Sequence, residues 1–107
     1  MKHIDYEEFA KHFYYDETSP SFLRWRISKG TRKAHDIAGT PSGNGYYMVG
    51  FNRKSYLAYR IIYCIMNGGI DDTLVIDHKD RVKSNNNIWN LQAVTQAENM
   101  TNRTRQV

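Results

Sequence analysis

Asp77 and His78 stand side by side after the apolar run Leu74-Val75-Ile76, with Asn90 twelve positions beyond His78 and Asn99 nine beyond that. A carboxylate, an imidazole and two carboxamides are what one hard cation and one base need to hydrolyse a phosphodiester. Asp77 and the carboxamide of Asn99 offer the oxygen donors that Mg2+ or Mn2+ takes. An ion so held offsets charge on the scissile phosphate and on the leaving 3′ oxygen. The reference pKa of an imidazole, about 6.5, makes a histidine such as His78 a candidate general base near neutral pH, an effect worth about 10²–10⁴-fold. Asn90 could hold one imidazole nitrogen through its side-chain oxygen and so fix the tautomer. Each residue also has a plain reading. Asp77 could cap a turn, His78 could simply end a strand, Asn90 could satisfy backbone groups in an Asn-rich loop, and Asn99 could be solvated.

The elements that must position these residues can be read from periodicity. Leu74 to His78 reads as a strand, Lys79 to Asn87 as a polar loop, and Ile88 to Val94 as a second strand carrying Asn90. Thr95-Gln96-Ala97-Glu98 has the form of a capping box, so a helix opens at Thr95 with Asn99 in or just beyond its first turn. Packing that helix across the two strands would bring His78, Asn90 and Asn99 around one point. Upstream, Asp5 with Glu8 reads as the N-cap of a first helix, with Ile4 and Phe9 as a hydrophobic staple and Phe9 and Phe13 on one face. Phe22 to Ile27 alternates as a strand with a basic outer face. Tyr46 to Phe51 and Lys54 to Ala58 form two more, joined by a hairpin turn at Asn52-Arg53. Ile61, Ile62, Ile65 and Met66 share helical spacing, and Asn67-Gly68-Gly69 closes that helix.

A length of 107 residues implies one domain, with a helix and β-rich region over 1–73 packing on a strand–strand–helix unit over 74–107, an α+β arrangement. Eight Tyr, four Phe and two Trp argue against disorder. Cys64 is the only cysteine, which excludes an intrachain disulfide and a thiolate-rich zinc site. No apolar run approaches a membrane span and no signal-peptide core is present, so the chain reads as cytoplasmic, with no membrane partner. A net charge of +4 and a pI near 9.3 favour a polyanion as partner. Arg24, Arg26, Lys29, Arg32 and Lys33 lie upstream. Arg53, Lys54 and Arg60 lie mid-chain, Lys79, Arg81 and Lys83 occupy the loop after His78, and Arg103 falls four positions beyond Asn99.

The stretch Val75-Ile76-Asp77-His78-Lys79-Asp80, then Asn87-Ile88-Trp89-Asn90-Leu91-Gln92-Ala93-Val94-Thr95, then Glu98-Asn99, resembles the HNH endonuclease family in its phage homing-endonuclease branch. Members read as a DH dipeptide, a polar loop, an N-L pair, a V-T pair and an E-N pair. The resemblance implies a ββα-metal fold, one divalent ion, His78 as general base, Asn90 orienting it, and Asp77 with Asn99 as metal ligands. It extends upstream through Gly45 to Val49 and Tyr56 to Ile61, where Tyr59-Arg60 replaces the branch's usual His-Arg pair. A Tyr hydroxyl still donates to a phosphate but is neither a cation nor a nitrogen ligand. By the same resemblance the partner is double-stranded DNA, set with its minor groove against the hairpin and helix. Arg53, Lys54, Tyr59, Arg60, Lys79, Arg81, Lys83 and Arg103 would contact it, in a monomer or a homodimer. The leading expectation is a Mg2+- or Mn2+-dependent DNA endonuclease. The alternatives are a non-catalytic DNA-binding module that keeps the fold, and a small structural domain whose Asp, His and Asn residues serve turns.

Overall fold

The computed structural model describes residues 2–70 and 73–97, with backbone alone for 2–5. Helix α1 (Lys2–His12) leads into strand β1 (Phe13–Tyr15), which pairs antiparallel with β2 (Leu23–Trp25) so that Phe13 faces Trp25. The helix begins upstream of Asp5, so Asp5 lies within its first turn and is not the N-cap. The helix stops at His12 because Phe13-Tyr14-Tyr15, an aromatic run suited to a pleated surface, is drawn into the ladder with β2. Phe9 and Phe13 therefore belong to different elements, yet their rings still meet, 6.2 Å apart.

Strand β3 (Thr40–Pro41) pairs with β4 (Tyr47–Phe51), and β4 with β5 (Lys54–Leu57). Asn52 and Arg53 both have positive φ, 52° and 65°, as a two-residue type I′ hairpin turn demands. Helix α2 (Ala58–Asn67) follows directly and buries Ala58, Ile61, Ile62 and Cys64 on one face. Gly68, at φ 80°, ends it by donating its N–H to the Cys64 carbonyl, a left-handed cap that a glycine forms without steric cost. The last unit is a two-stranded sheet, β6 (Val75–His78) with β7 (Leu91–Val94), and helical backbone resumes at Gln96 as the capping box predicts.

The stretch expected as one strand from Ile88 to Val94 is divided. Ile88–Asn90 is a 3₁₀ turn, because the Asn87 side chain accepts the Trp89 N–H at 2.9 Å and the Asn87 carbonyl accepts that of Asn90 at 2.8 Å. The β6–β7 ladder opens with His78 opposite Leu91, so Asn90 lies just past its end.

α2 is the hub: it packs against α1, β1, β4, β5, β6 and the 3₁₀ turn. Phe9, Phe13, Trp25 and Phe51 interlock at the centre, with Phe13 and Phe51 edge-to-face at 5.3 Å and Phe13 and Trp25 at 4.3 Å. Among the described residues no helix is long and apolar enough to cross a membrane. Because Phe13 is fully buried in this cluster, Phe13→Ala should destabilise the fold by about 3–5 kcal/mol. Denaturant unfolding would show this as a lowered midpoint, and a midpoint within experimental error of the parent would contradict the packing described.

Candidate active site

β6 ends at the site because its alternation buries Ile76 and His78 and leaves Asp77 half-buried on the other face. His78 is 5% exposed. Its imidazole lies edge-on to Tyr59 at 4.7 Å and 6.1 Å from Tyr46, with the two tyrosine rings 5.6 Å apart. Tyr59 comes from the first turn of α2 and Tyr46 from the lead-in to β4, so three elements wall the histidine. Burial pushes the Tyr59 hydroxyl above the ordinary phenol range, Tyr46 and the Asp77 carboxylate push the same way, and Arg60 opposes them. Tyr59 therefore stays protonated at neutral pH and can donate.

The Asp77 carboxylate makes two long contacts, from Arg81 Nη1 at 3.4 Å to one oxygen and from Gln92 Nε2 at 3.4 Å to the other. Neither has the short geometry of a committed ion pair. Arg81 thus points back at Asp77 rather than outward to a phosphate, held there by a left-handed backbone (φ 67°) in the turn that its N–H closes onto the His78 carbonyl.

The Asn90 side chain, expected to orient His78, is bonded to the following loop and not to the imidazole. Its carboxamide is spent on the loop: Nδ2 donates to Asp80 Oδ1 and to the Asn85 carbonyl, both at 2.9 Å, and Oδ1 accepts the Asp80 N–H at 3.1 Å. The physical reason is its place beyond the end of the ladder, where its backbone carbonyl takes the Lys79 N–H at 2.7 Å and its side chain meets the returning loop. The contact expected of Asn90 is made by Asn86, whose Oδ1 lies 2.9 Å from His78 Nε2. Periodicity could not have singled out Asn86. Three adjacent asparagines look alike in sequence, and only burial, at 1% exposed, separates this one.

Asp80 completes the loop clamp. It accepts from Asn85 Nδ2 at 2.8 Å and from the Val82 N–H at 2.8 Å as well as from Asn90. The Asn85 hydrogen bond first, then those from Val82 and Asn90, hold its carboxyl below the usual carboxylate range, with a smaller contribution from His78. Asn99 and Arg103 lie outside the described residues. Among the described residues no three His, Cys, Asp or Glu side chains gather as metal ligands, and Asp77 is the carboxylate nearest in sequence to His78. The available chemistry, a partly buried carboxylate with no short partner, fits a hard divalent ion.

Lys79 and Arg60 are exposed. Lys83 folds back over Tyr46, 5.1 Å from the ring centre, and donates to the Asn44 carbonyl at 3.2 Å. Arg53 and Lys54 lie elsewhere. With His12, Lys29 and Arg32 they line an open cleft of about 630 Å³ whose wall holds no carboxylate among the described residues. Arg32 stacks on Trp25 at 3.4 Å, and its Nε is buried with no hydrogen-bond partner among the described residues. Lys29 and Arg32 belonged to a scattered basic set in sequence; the bridge between them, Lys29 N–H to Arg32 carbonyl at 2.9 Å, turns both into this cleft.

A buried histidine beside an aspartate thus stands at the end of a two-stranded sheet that runs into a helix. Residues 56–101 match the HNH endonuclease family, a span that opens in β5 and takes in α2, the loop clamp and both strands. The fold is similar to a solved structure described as "DNA binding and cleavage by the HNH homing endonuclease I-HmuI", at 26% identity and a TM-score of 0.64 over 89% of this chain. The chain spans about half the length of that protein, 53%. No curated protein matches the chain.

The loop clamp has a pH signature. Asp80 is depressed in the folded state, so its contribution is present above the unfolded carboxyl value and lost as pH falls through the folded one. Asp80→Asn should therefore lower stability at neutral pH and remove part of the decline below about pH 4. Thermal melts of both proteins from pH 2 to 7 read this out. Parallel curves across that range would refute the clamp.

Proposed function

We propose that this protein is a metal-dependent endonuclease that hydrolyses phosphodiester bonds in duplex DNA. The observation that carries the reading is the buried His78 beside Asp77 at the end of β6, within a span that matches the HNH endonuclease family. Asp77, with Asn99, would hold one divalent ion, Mg2+ or Mn2+. Such an ion, when bound, offsets charge on the scissile phosphate and on the leaving 3′ oxygen. His78 takes the proton of the attacking water. Tyr59, protonated and beside His78, donates to a phosphate oxygen in the place where the family resemblance leads one to expect a histidine. Asn90 acts one step away, by closing the loop that follows His78. Arg81 is the internal counter-charge of Asp77 and must yield to an arriving cation.

The basic cleft is a second hold on the same DNA. Phe51 in its wall, at the end of β4, and Tyr46 at the site, just before β4 begins, are five residues apart, about 16 Å at roughly 3.3 Å per extended residue. That is about five phosphates along one strand at roughly 3.4 Å each. Arg53, Lys54, Lys29 and Arg32 would engage backbone phosphates there, while Arg60, Lys79 and Arg103 hold those nearer the cut. These contacts position the duplex without reading its bases.

The Arg81–Asp77 contact also favours a second reading, a DNA-binding module in which the guanidinium permanently occupies the cation's place. Supercoiled plasmid incubated with Mg2+ or Mn2+ decides between them. Cleavage should need the metal, stop with chelator, and fall about 10²–10⁴-fold in His78→Ala and steeply in Asp77→Ala. Retarded plasmid with no cut strand in either metal would establish the binding module.

For the cleft, log–log plots of duplex affinity against salt should be linear. Neutralising Arg53 and Lys54 together should reduce the slope by about 2, about 1 for each phosphate that no longer meets a cation. An unchanged slope would remove the cleft from the DNA-binding surface.

A further inference from the structure

We infer that Asn86 is a positioning residue for His78: it holds the neutral imidazole as the Nε2–H tautomer and leaves the Nδ1 lone pair to accept a proton. The geometry stands alone, and its catalytic consequence rests on the nuclease reading above.

The argument begins at a backbone carbonyl, which can only accept. Ser21 O lies 3.2 Å from the Asn86 side-chain nitrogen, and that contact is satisfied only if the carboxamide turns its NH2 toward Ser21. The carboxamide oxygen must then face His78, where it sits 2.9 Å from Nε2. That oxygen also can only accept, so the hydrogen between them belongs to the imidazole. In a neutral ring the other nitrogen is then the acceptor. A flipped carboxamide would set oxygen against the Ser21 carbonyl and lose that hydrogen bond, so the Ser21 contact is what excludes the opposite pairing, NH2 on Nε2 of the Nδ1–H tautomer. Water has little access to repair this: Ser21 is 0%, Asn86 1% and His78 5% exposed.

The far end of the relay is itself held. Phe22, the next residue, has a left-handed backbone (φ 68°), uncommon for a bulky side chain, which sets the peptide plane presenting the Ser21 carbonyl. The turn retains it through Phe22 N–H to the Ser19 carbonyl at 2.9 Å and Asp16 N–H to the Phe22 carbonyl at 3.0 Å. Ser21 Oγ is tied to the Ala38 carbonyl at 2.6 Å. A turn 65 residues upstream of Asn86 in sequence thus dictates which imidazole nitrogen is free. A polar residue that merely filled a buried hole would not select a tautomer.

The full chain, labelled with ¹⁵N at its four histidines, decides this without activity. Two-bond ¹H–¹⁵N correlation at about pH 8.5, with no metal and with His78→Gln to assign the signals, should show His78 as Nε2–H by more than about ten to one. An Nδ1–H pattern or an even mixture would overturn the inference. Two variants add the functional arm. Asn86→Asp keeps an acceptor for Nε2–H but cannot donate to the Ser21 carbonyl, so it should keep the tautomer and nick less than the parent but more than the leucine variant. Asn86→Leu, of similar volume, should give a tautomer mixture and lose roughly 10–100-fold in nicking. Equal nicking by the two would also overturn it. If the leucine variant does not fold, the parent and aspartate spectra still decide the tautomer. A parent protein that never nicks would remove the nuclease reading and leave the tautomer result intact.

Discussion

The loop from Lys79 to Asn90 must leave the end of β6, travel through solvent and return to the start of β7 without releasing His78. Asp80 is the constraint that permits this. One carboxylate gathers Asn85, Val82 and Asn90 around itself, and Asn90 in turn closes on Asp80 and Asn85. Polar loops of this length carry backbone groups that need partners, and here a carboxylate and two carboxamides supply them. With Asn85 and Asn90 turned toward Asp80, Asn86 between them is carried inward to His78, and Asn87 is left to start the 3₁₀ turn. Three consecutive asparagines thereby take three different tasks.

The aromatic centre serves the same end from the other side. α2 is pressed onto the Phe9, Phe13, Trp25 and Phe51 cluster by Ile61 and Ile62. That docking sets Tyr59, one turn earlier on the helix, edge-on to His78. The imidazole is held between a helix that the core positions and a loop that the clamp positions. Proton transfer needs a fixed donor–acceptor distance, and a histidine so enclosed has little freedom to lose it. Tyr59 is part of that wall, which gives a packing role to the residue that departs from the His-Arg pair expected by resemblance.

Charge is divided between two regions. The site carries both signs, with Asp77 met by Arg81 and Asp80 in the loop that follows His78. The unbalanced cations gather where β4 and β5 turn, in a cleft bordered by Lys29 and Arg32. Arg32 lies flat on Trp25, so its position is set by the core and not by solvent. A stacked guanidinium is already ordered, and an anion meeting it loses less side-chain freedom than one meeting a loose lysine.

Local pattern accounts for most of the elements. Alternation and spacing marked β4, β5, α2 and β6, the Asn52-Arg53 turn followed from its residue types, and Gly68 ended α2 for the reason glycine generally does. Pattern failed at the end of α1, where long-range pairing with β2 claimed Phe13, and at Ile88 to Asn90, where local hydrogen bonds to Asn87 wound an apparent strand into a turn. The Asp77-His78 pair is evident in order because the two are adjacent, and their chemistry follows from their types. Which carboxamide meets the imidazole was not evident, since a side chain's partner depends on how the loop closes and not on its distance along the chain. Residue type and short-range spacing thus determined, by themselves, the kind of chemistry and the strands that carry it. Tertiary packing alone decided that Asn86 rather than Asn90 faces His78, that Arg81 turns to Asp77, and that Lys29 and Arg32 join Arg53 and Lys54, because each of these joins groups whose meeting is dictated by burial and hydrogen-bond closure in three dimensions.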